Sequence, residues 1–94
     1  MDLKLLGKRA VVTGGSRGIG KAIARTLAEE GVYVVISARG RESLDATAEK
    51  LTNDTGSTVT GVVADTGYDD SVCNLIIEAK SILGGIDILV NCTA

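Results

Sequence analysis

With 94 residues the chain allows one small domain at most, near the lower limit for a strong core, and its 45% hydrophobic content excludes a disordered tail. Ten basic against twelve acidic residues, a formal net charge of −2, argue against a general nucleic-acid or anionic-membrane surface. There is no histidine, the commonest general base and metal ligand, and Cys73 and Cys92 lack metal-ligand spacing, so no metal site is expected and two free thiols in a reducing cytoplasm are.

Residues 8–13 end in Ala10-Val11-Val12-Thr13 and meet Gly14-Gly15, which predicts a short buried strand stopped by a turn. From Ile19 the apolar positions Ile23 and Leu27 recur at helical spacing, with Ala22, Ala24 and Ala28 as small helix formers and Gly31 as the stop. Residues 32–37 form a β-branched run, a strand buried on both faces. Leu44, Ala48 and Leu51 mark a second helix that ends around residues 53–56, and residues 58–63 predict a third strand. A third helix, Asp69–Leu83, carries Val72, Leu75, Ile76, Ala79 and Leu83 on one face and closes at Gly84-Gly85. Residues 86–90 are a fourth strand reaching Asn91. The alternation predicts an α/β fold with a parallel sheet. No internal repeat, linker, secretion signal or membrane-length apolar run interrupts it.

The segment Thr13-Gly14-Gly15-Ser16-Arg17-Gly18-Ile19-Gly20 lies between a predicted strand and a predicted helix. Glycines there permit a tight turn and close approach to a ligand, and the helix N-terminus beyond offers unpaired N–H groups to a phosphate. An ordinary glycine-rich turn needs fewer spaced glycines than three. A nucleoside-triphosphate loop is spelled by Gly15 through Lys21, yet it requires Ser or Thr next to hold magnesium, and Ala22 stands there. The third reading is a dinucleotide loop with the spacing G-x-x-x-G-x-G from Gly14, Gly18 and Gly20.

That spacing after Thr13, together with Gly7-Lys8 and the run Gly85-Ile86-Asp87-Ile88-Leu89-Val90-Asn91, resembles the short-chain dehydrogenase/reductase family over essentially the whole chain. Within the family the resemblance is greatest to 3-oxoacyl-carrier-protein reductases and related sugar-alcohol or steroid reductases. It implies a Rossmann-like, doubly wound parallel sheet in the order 3-2-1-4, with residues 1–94 forming an incomplete dinucleotide-binding part that stops after the fourth strand. Pyrophosphate contacts then fall on Gly14, Ser16, Gly18, Ile19 and Gly20.

Cofactor choice in such a site is made at the end of the second strand, roughly 20 residues past the glycines. NAD-preferring relatives carry Asp there; this chain has Ala38, followed by Arg39. Arg17, Ser37 and Arg39 make a clamp for a 2′-phosphate, so NADP(H) is favoured over NAD(H). The alternative, that Arg39 and Arg41 are a solvated helix start, sits badly with the helix dipole. Asp65 is expected to accept the adenine amino group, although it could equally cap the next helix; Thr66 is a weaker candidate, and Thr13 is expected to tie the loop to neighbouring backbone.

The family's Asn-Asn-Ala-Gly segment corresponds to Asn91-Cys92-Thr93-Ala94, which keeps the first Asn for the ribose side and departs at the other three positions. Cys92 reads as a packed small residue, since no basic partner is visible. Family catalysis uses a Ser and a Tyr-x-x-x-Lys pair, whereas Tyr33 and Tyr68 are followed four residues later by Ser37 and Val72. No catalytic residue is therefore named, and the 94-residue chain is expected to be inactive alone. The expected function is the NADP(H)-binding portion of an oxidoreductase acting on a carbonyl or alcohol, from a longer protein that forms homo-oligomers. The alternative is a non-catalytic nucleotide-binding or edge-strand module, because an open fourth strand and an uncovered second sheet face favour association.

Overall fold

The computed structural model describes residues 6–14, 18–65 and 69–92. Strand and helix alternate: β1 Arg9–Thr13, α1 Gly18–Glu29, β2 Tyr33–Ala38, α2 Arg41–Thr55, β3 Val59–Val63, α3 Asp69–Leu83 and β4 Ile88–Asn91. All strand pairs are parallel, in the order β3-β2-β1-β4. This is the Rossmann-like α/β arrangement expected from the sequence.

The two-residue period of the strands sends side chains to opposite faces. Ala10, Val12, Val34, Ile36 and Val59 join Ala24 and Ala28 of α1 and Leu44, Ala48 and Leu51 of α2 in one core. Val11, Val35, Val62 and Ala64 join Leu75 and Ala79 of α3 in the other. Helices thus cover both faces, two on one side and one on the other.

The face that α1 buries is Gly20, Ala24 and Ala28, spaced by four residues. Ile23 and Leu27, the positions picked out by apolar periodicity, are half-buried beside it. Small side chains let the helix axis come close to the sheet, and the larger ones fill the flanks. A similar close fit sets Gly61: a Cβ there would lie 2.8 Å from Leu44 Cγ, so β3 carries glycine under the α2 leucine. Helix α2 ends at Gly56, whose φ of 76° is the left-handed cap and whose N–H donates to Thr52 O at 2.9 Å.

The fourth strand begins at Ile88 instead of Ile86, because the preceding residues make a side-chain clamp in place of a ladder. The Arg9 N–H donates to Asp87 Oδ2 at 2.9 Å, and Arg9 Nε and Nη2 reach the same carboxylate at 3.0 and 3.3 Å. Asp87 N–H returns a bond to Arg9 O at 2.8 Å. The guanidinium holds the Asp87 carboxyl below its usual range, chiefly by the side-chain hydrogen bond and then by the bond from the Arg9 backbone. Register Ala10↔Ile88 follows directly beyond this clamp. At the sheet margin Leu89 is 59% exposed, the wet apolar surface anticipated on the face where α3 packs over β2 and β3.

Candidate functional site

In an all-parallel sheet every strand delivers its C-terminus to the same edge, and here that edge collects Thr13-Gly14, Ala38-Arg39, Ala64-Asp65 and Asn91-Cys92. The chain runs from β1 outward to β2 and β3, then crosses back to place β4 on the other side of β1. The carboxyl ends of β1 and β4 therefore flank the switch point, the usual crevice for a ligand in open α/β sheets.

The turn from β1 into α1 is bracketed by Gly14 at φ 71° and Gly18 at φ 64°. A side chain at either position would be strained. A Cβ on Gly18 would meet nothing within 4 Å among the described residues. The first turn of α1 has no acidic side chain, while α2 carries Glu42 in its own. Its positive end is left for an outside anion. Ile19 is 75% exposed at this entrance and Gly20 is buried toward the sheet. Ser16 and Arg17, expected at the phosphates, lie outside the described residues, as does Thr66.

At the end of β2 the residues expected to form the 2′-phosphate clamp differ in exposure. Ser37 is fully buried, and Oγ has no hydrogen-bond partner among the described residues. It sits in register between Thr13 and Val62, on the α3 side with Val35, and its burial leaves the hydroxyl no exposed surface. We leave Ser37 out of the phosphate contacts. Arg39 is exposed and precedes α2, whose N-cap is Gly40. Arg9, Arg25 and Arg41 are paired with Asp87, Asp54 and Asp45, whereas Arg39 has no ion pair among the described residues. Arg41, in the first turn of α2, pairs with Asp45 one turn on at 3.6 Å.

Asp65 is half-buried just beyond β3, and its N–H donates to Ser71 Oγ of α3 at 2.8 Å, a contact that no sequence pattern singled out. On the other side of β1, the Thr13 hydroxyl reaches Asn91 Oδ1 at 2.9 Å and Val90 O at 3.3 Å, and accepts the Cys92 N–H at 3.2 Å. Thr13 thus ties the start of the loop to neighbouring backbone as expected, through Val90 O and the Cys92 N–H at the end of β4. Cys92 is a half-buried free thiol packed against the α1–α2 core. Tyr33 lies at the opposite sheet edge, paired with Arg9, and Tyr68 is outside the described residues. Among the described residues no group of three or more Cys, Asp or Glu side chains is placed to hold a metal, and no helix is long and apolar enough to cross a membrane.

The model of the family described as short chain dehydrogenase matches residues 8–94. The chain belongs to the short chain dehydrogenase family. It is 41% identical over 91 residues to the 3-oxoacyl-acyl-carrier-protein reductase of Aquifex aeolicus, covering 97% of this chain and 37% of that protein. It is 43% identical over 84 residues to dehydrogenase/reductase SDR family member 4 of Sus scrofa, covering 89% of this chain and 30% of that one. The structure of L-sorbose reductase from Gluconobacter frateurii complexed with NADPH and L-sorbose superposes with a TM-score of 0.95 at 39% identity, over 100% of this chain and 36% of its own. A Pseudomonas aeruginosa RhlG/NADP complex gives a TM-score of 0.88 at 37% identity, over 96% and 36%. This short chain dehydrogenase sequence thus spans about a third of the length of the curated relatives it matches.

Proposed function

We propose that the chain is the dinucleotide-binding part of an oxidoreductase that moves hydride between a nicotinamide and a carbonyl or alcohol, with NADP(H) favoured over NAD(H). The observation that carries this reading is the turn from β1 into α1. Two glycines at positive φ hold it at the switch point, a Cβ on Gly18 would meet nothing among the described residues, and the helix beyond supplies no anion of its own. These residues fit a pyrophosphate, since the backbone can approach it without a side chain between.

When bound, the cofactor supplies the hydride chemistry of its nicotinamide, and the residues of this chain hold and orient it. Gly14, Ser16, Gly18, Ile19 and Gly20 form the pyrophosphate cradle, with main-chain N–H groups at the start of α1 as donors. Arg17 and Arg39 take the 2′-phosphate, Asp65 accepts the adenine amino group, and Asn91, held by Thr13, lines the ribose side. The NADP preference draws on Ala38 and on Arg39, which has no ion pair among the described residues, and gains support from relatives whose structures contain NADPH or NADP. A 3-oxoacyl substrate is supported by the likeness to the 3-oxoacyl-acyl-carrier-protein reductase of Aquifex aeolicus. No residue of this chain is given a catalytic role.

Replacing Arg39 with alanine tests the reading. Loss of charge-assisted hydrogen bonds is expected to weaken NADPH binding about tenfold or more and to leave NADH binding unchanged. Undiminished NADPH affinity in the variant would sink the NADP preference. A second reading, a non-catalytic module that associates through β4, draws on exposed Leu89. It predicts concentration-dependent association in sedimentation and no NADPH binding.

A further inference from the structure

We infer that Ser71 is a positioning residue for the adenine contact of Asp65, an inference that rests on the adenine reading given above. Strand β3 follows β2 as far as the pair Ala38↔Val63, and Ala64 N–H then donates to Ala38 O at 3.0 Å. One residue later the direction of the tie changes. Asp65 N–H donates across to Ser71 Oγ at 2.8 Å, in the first turn of α3. Asp65 is thereby held from two sides, through its neighbour to β2 and through its own amide to α3.

The hydroxyl is itself rigidly placed. Ser71, Leu75 and Ala79 stand four residues apart on one face of α3, and Leu75 and Ala79 are buried against Val11, Val35, Val62 and Ala64. That packing fixes the rotation of the helix and with it the position of Ser71 Oγ. Fixing the Asp65 amide sets the direction of its Cα–Cβ bond. A carboxylate that recognises one amino group on a planar base must be held to within about 10–20° of its productive direction. Only a residue with an acceptor at position 71 can do this: alanine there leaves a half-buried N–H unsatisfied, while threonine keeps the oxygen.

The test compares NADPH with its hypoxanthine analogue, in which the adenine amino group is replaced by a carbonyl oxygen. Both are titrated by fluorescence into the full chain and into Ser71→Ala, Ser71→Thr and Asp65→Ala, with circular dichroism to report folding. The native chain and Ser71→Thr are expected to prefer NADPH, and Asp65→Ala to lose the preference. Ser71→Ala is expected to lose about five- to tenfold in NADPH affinity with little change for the analogue. If Ser71→Ala does not fold, Ser71→Cys, which keeps the volume with a weak acceptor, gives the same comparison. An equal loss for both ligands, or no loss for either, would mean that Ser71 only supports the fold, and overturns the positioning role while leaving the Asp65 contact standing. A native chain that does not distinguish the two ligands overturns the Asp65 contact and the inference with it.

Discussion

Replacing Gly18 with alanine separates what this residue does for the fold from what it does for a ligand. A Cβ at Gly18 meets nothing within 4 Å among the described residues, so the cost to the fold is only that of holding an L-residue at φ 64°. That cost is about 1–2 kcal/mol. For a chain of this size each 1 kcal/mol corresponds to roughly 4–8 °C in melting temperature, so a fall of about 4–16 °C follows. Gly56 supplies a matched control, with φ 76° and equally open surroundings, at the C-terminal end of α2 and on no strand's C-terminal edge. Thermal melts followed by circular dichroism are expected to give similar losses for Gly18→Ala and Gly56→Ala. NADPH titration at a temperature where both are folded is expected to separate them. Gly18→Ala loses about tenfold or more, because the methyl group occupies space needed by a pyrophosphate against the backbone, and Gly56→Ala binds as the native chain does. Native-like NADPH affinity in a folded Gly18→Ala chain would refute the reasoning.

Three further outcomes follow from the same structure. Ser37→Ala removes a buried hydroxyl that lacks a partner among the described residues, so stability is expected to stay level or rise by about 1 kcal/mol in urea unfolding, with NADPH affinity unchanged; a drop in NADPH affinity alone would return Ser37 to the clamp. Gly61→Ala drives a methyl group against Leu44 Cγ and is expected to cost about 1–3 kcal/mol, less when combined with Leu44→Val, and strict additivity in the double variant would argue against the contact. Asp87 and Asp54 both have lowered pKa values, through hydrogen bonds chiefly from Arg9 and Arg25 respectively. A depressed carboxylate stabilises the fold above its unfolded pKa, about 3.9, and loses that contribution as pH falls through the lower folded value. The urea midpoint is therefore expected to be flat from about pH 8 to 5, where no histidine titrates, and to fall below about pH 4, less steeply in Asp87→Asn. A midpoint that does not change between pH 5 and 3 would contradict this.

The elements were legible where their signal is local. The apolar stripe ended by Gly84-Gly85 gives α3 its observed limits, and the β-branched runs give the strands to within a residue or two. The start of β4 was not, because it depends on Arg9 and Asp87, 78 residues apart in the chain. On α1 the apolar spacing marks Ile23 and Leu27, which pack half-buried against the core, while distance to the sheet selects glycine and alanine for the fully buried face. In the site, the glycine spacing and Arg39 stood out as residue types in an order. The burial of Ser37 was not legible because it is set by its neighbours in the sheet, here Thr13 and Val62, and Ser71 went unseen because its bond to Asp65 exists only once α3 is packed.

The most direct measurement is a fluorescence titration of the chain with NADPH and with NADH, with circular dichroism confirming the fold. Saturable binding of both is expected, with NADPH tighter by about tenfold or more, the contribution of charge-assisted bonds to a 2′-phosphate. A folded chain that binds neither cofactor, or that binds NADH more tightly, would contradict the assignment of the β1–α1 turn and Arg39 to an NADP(H) site.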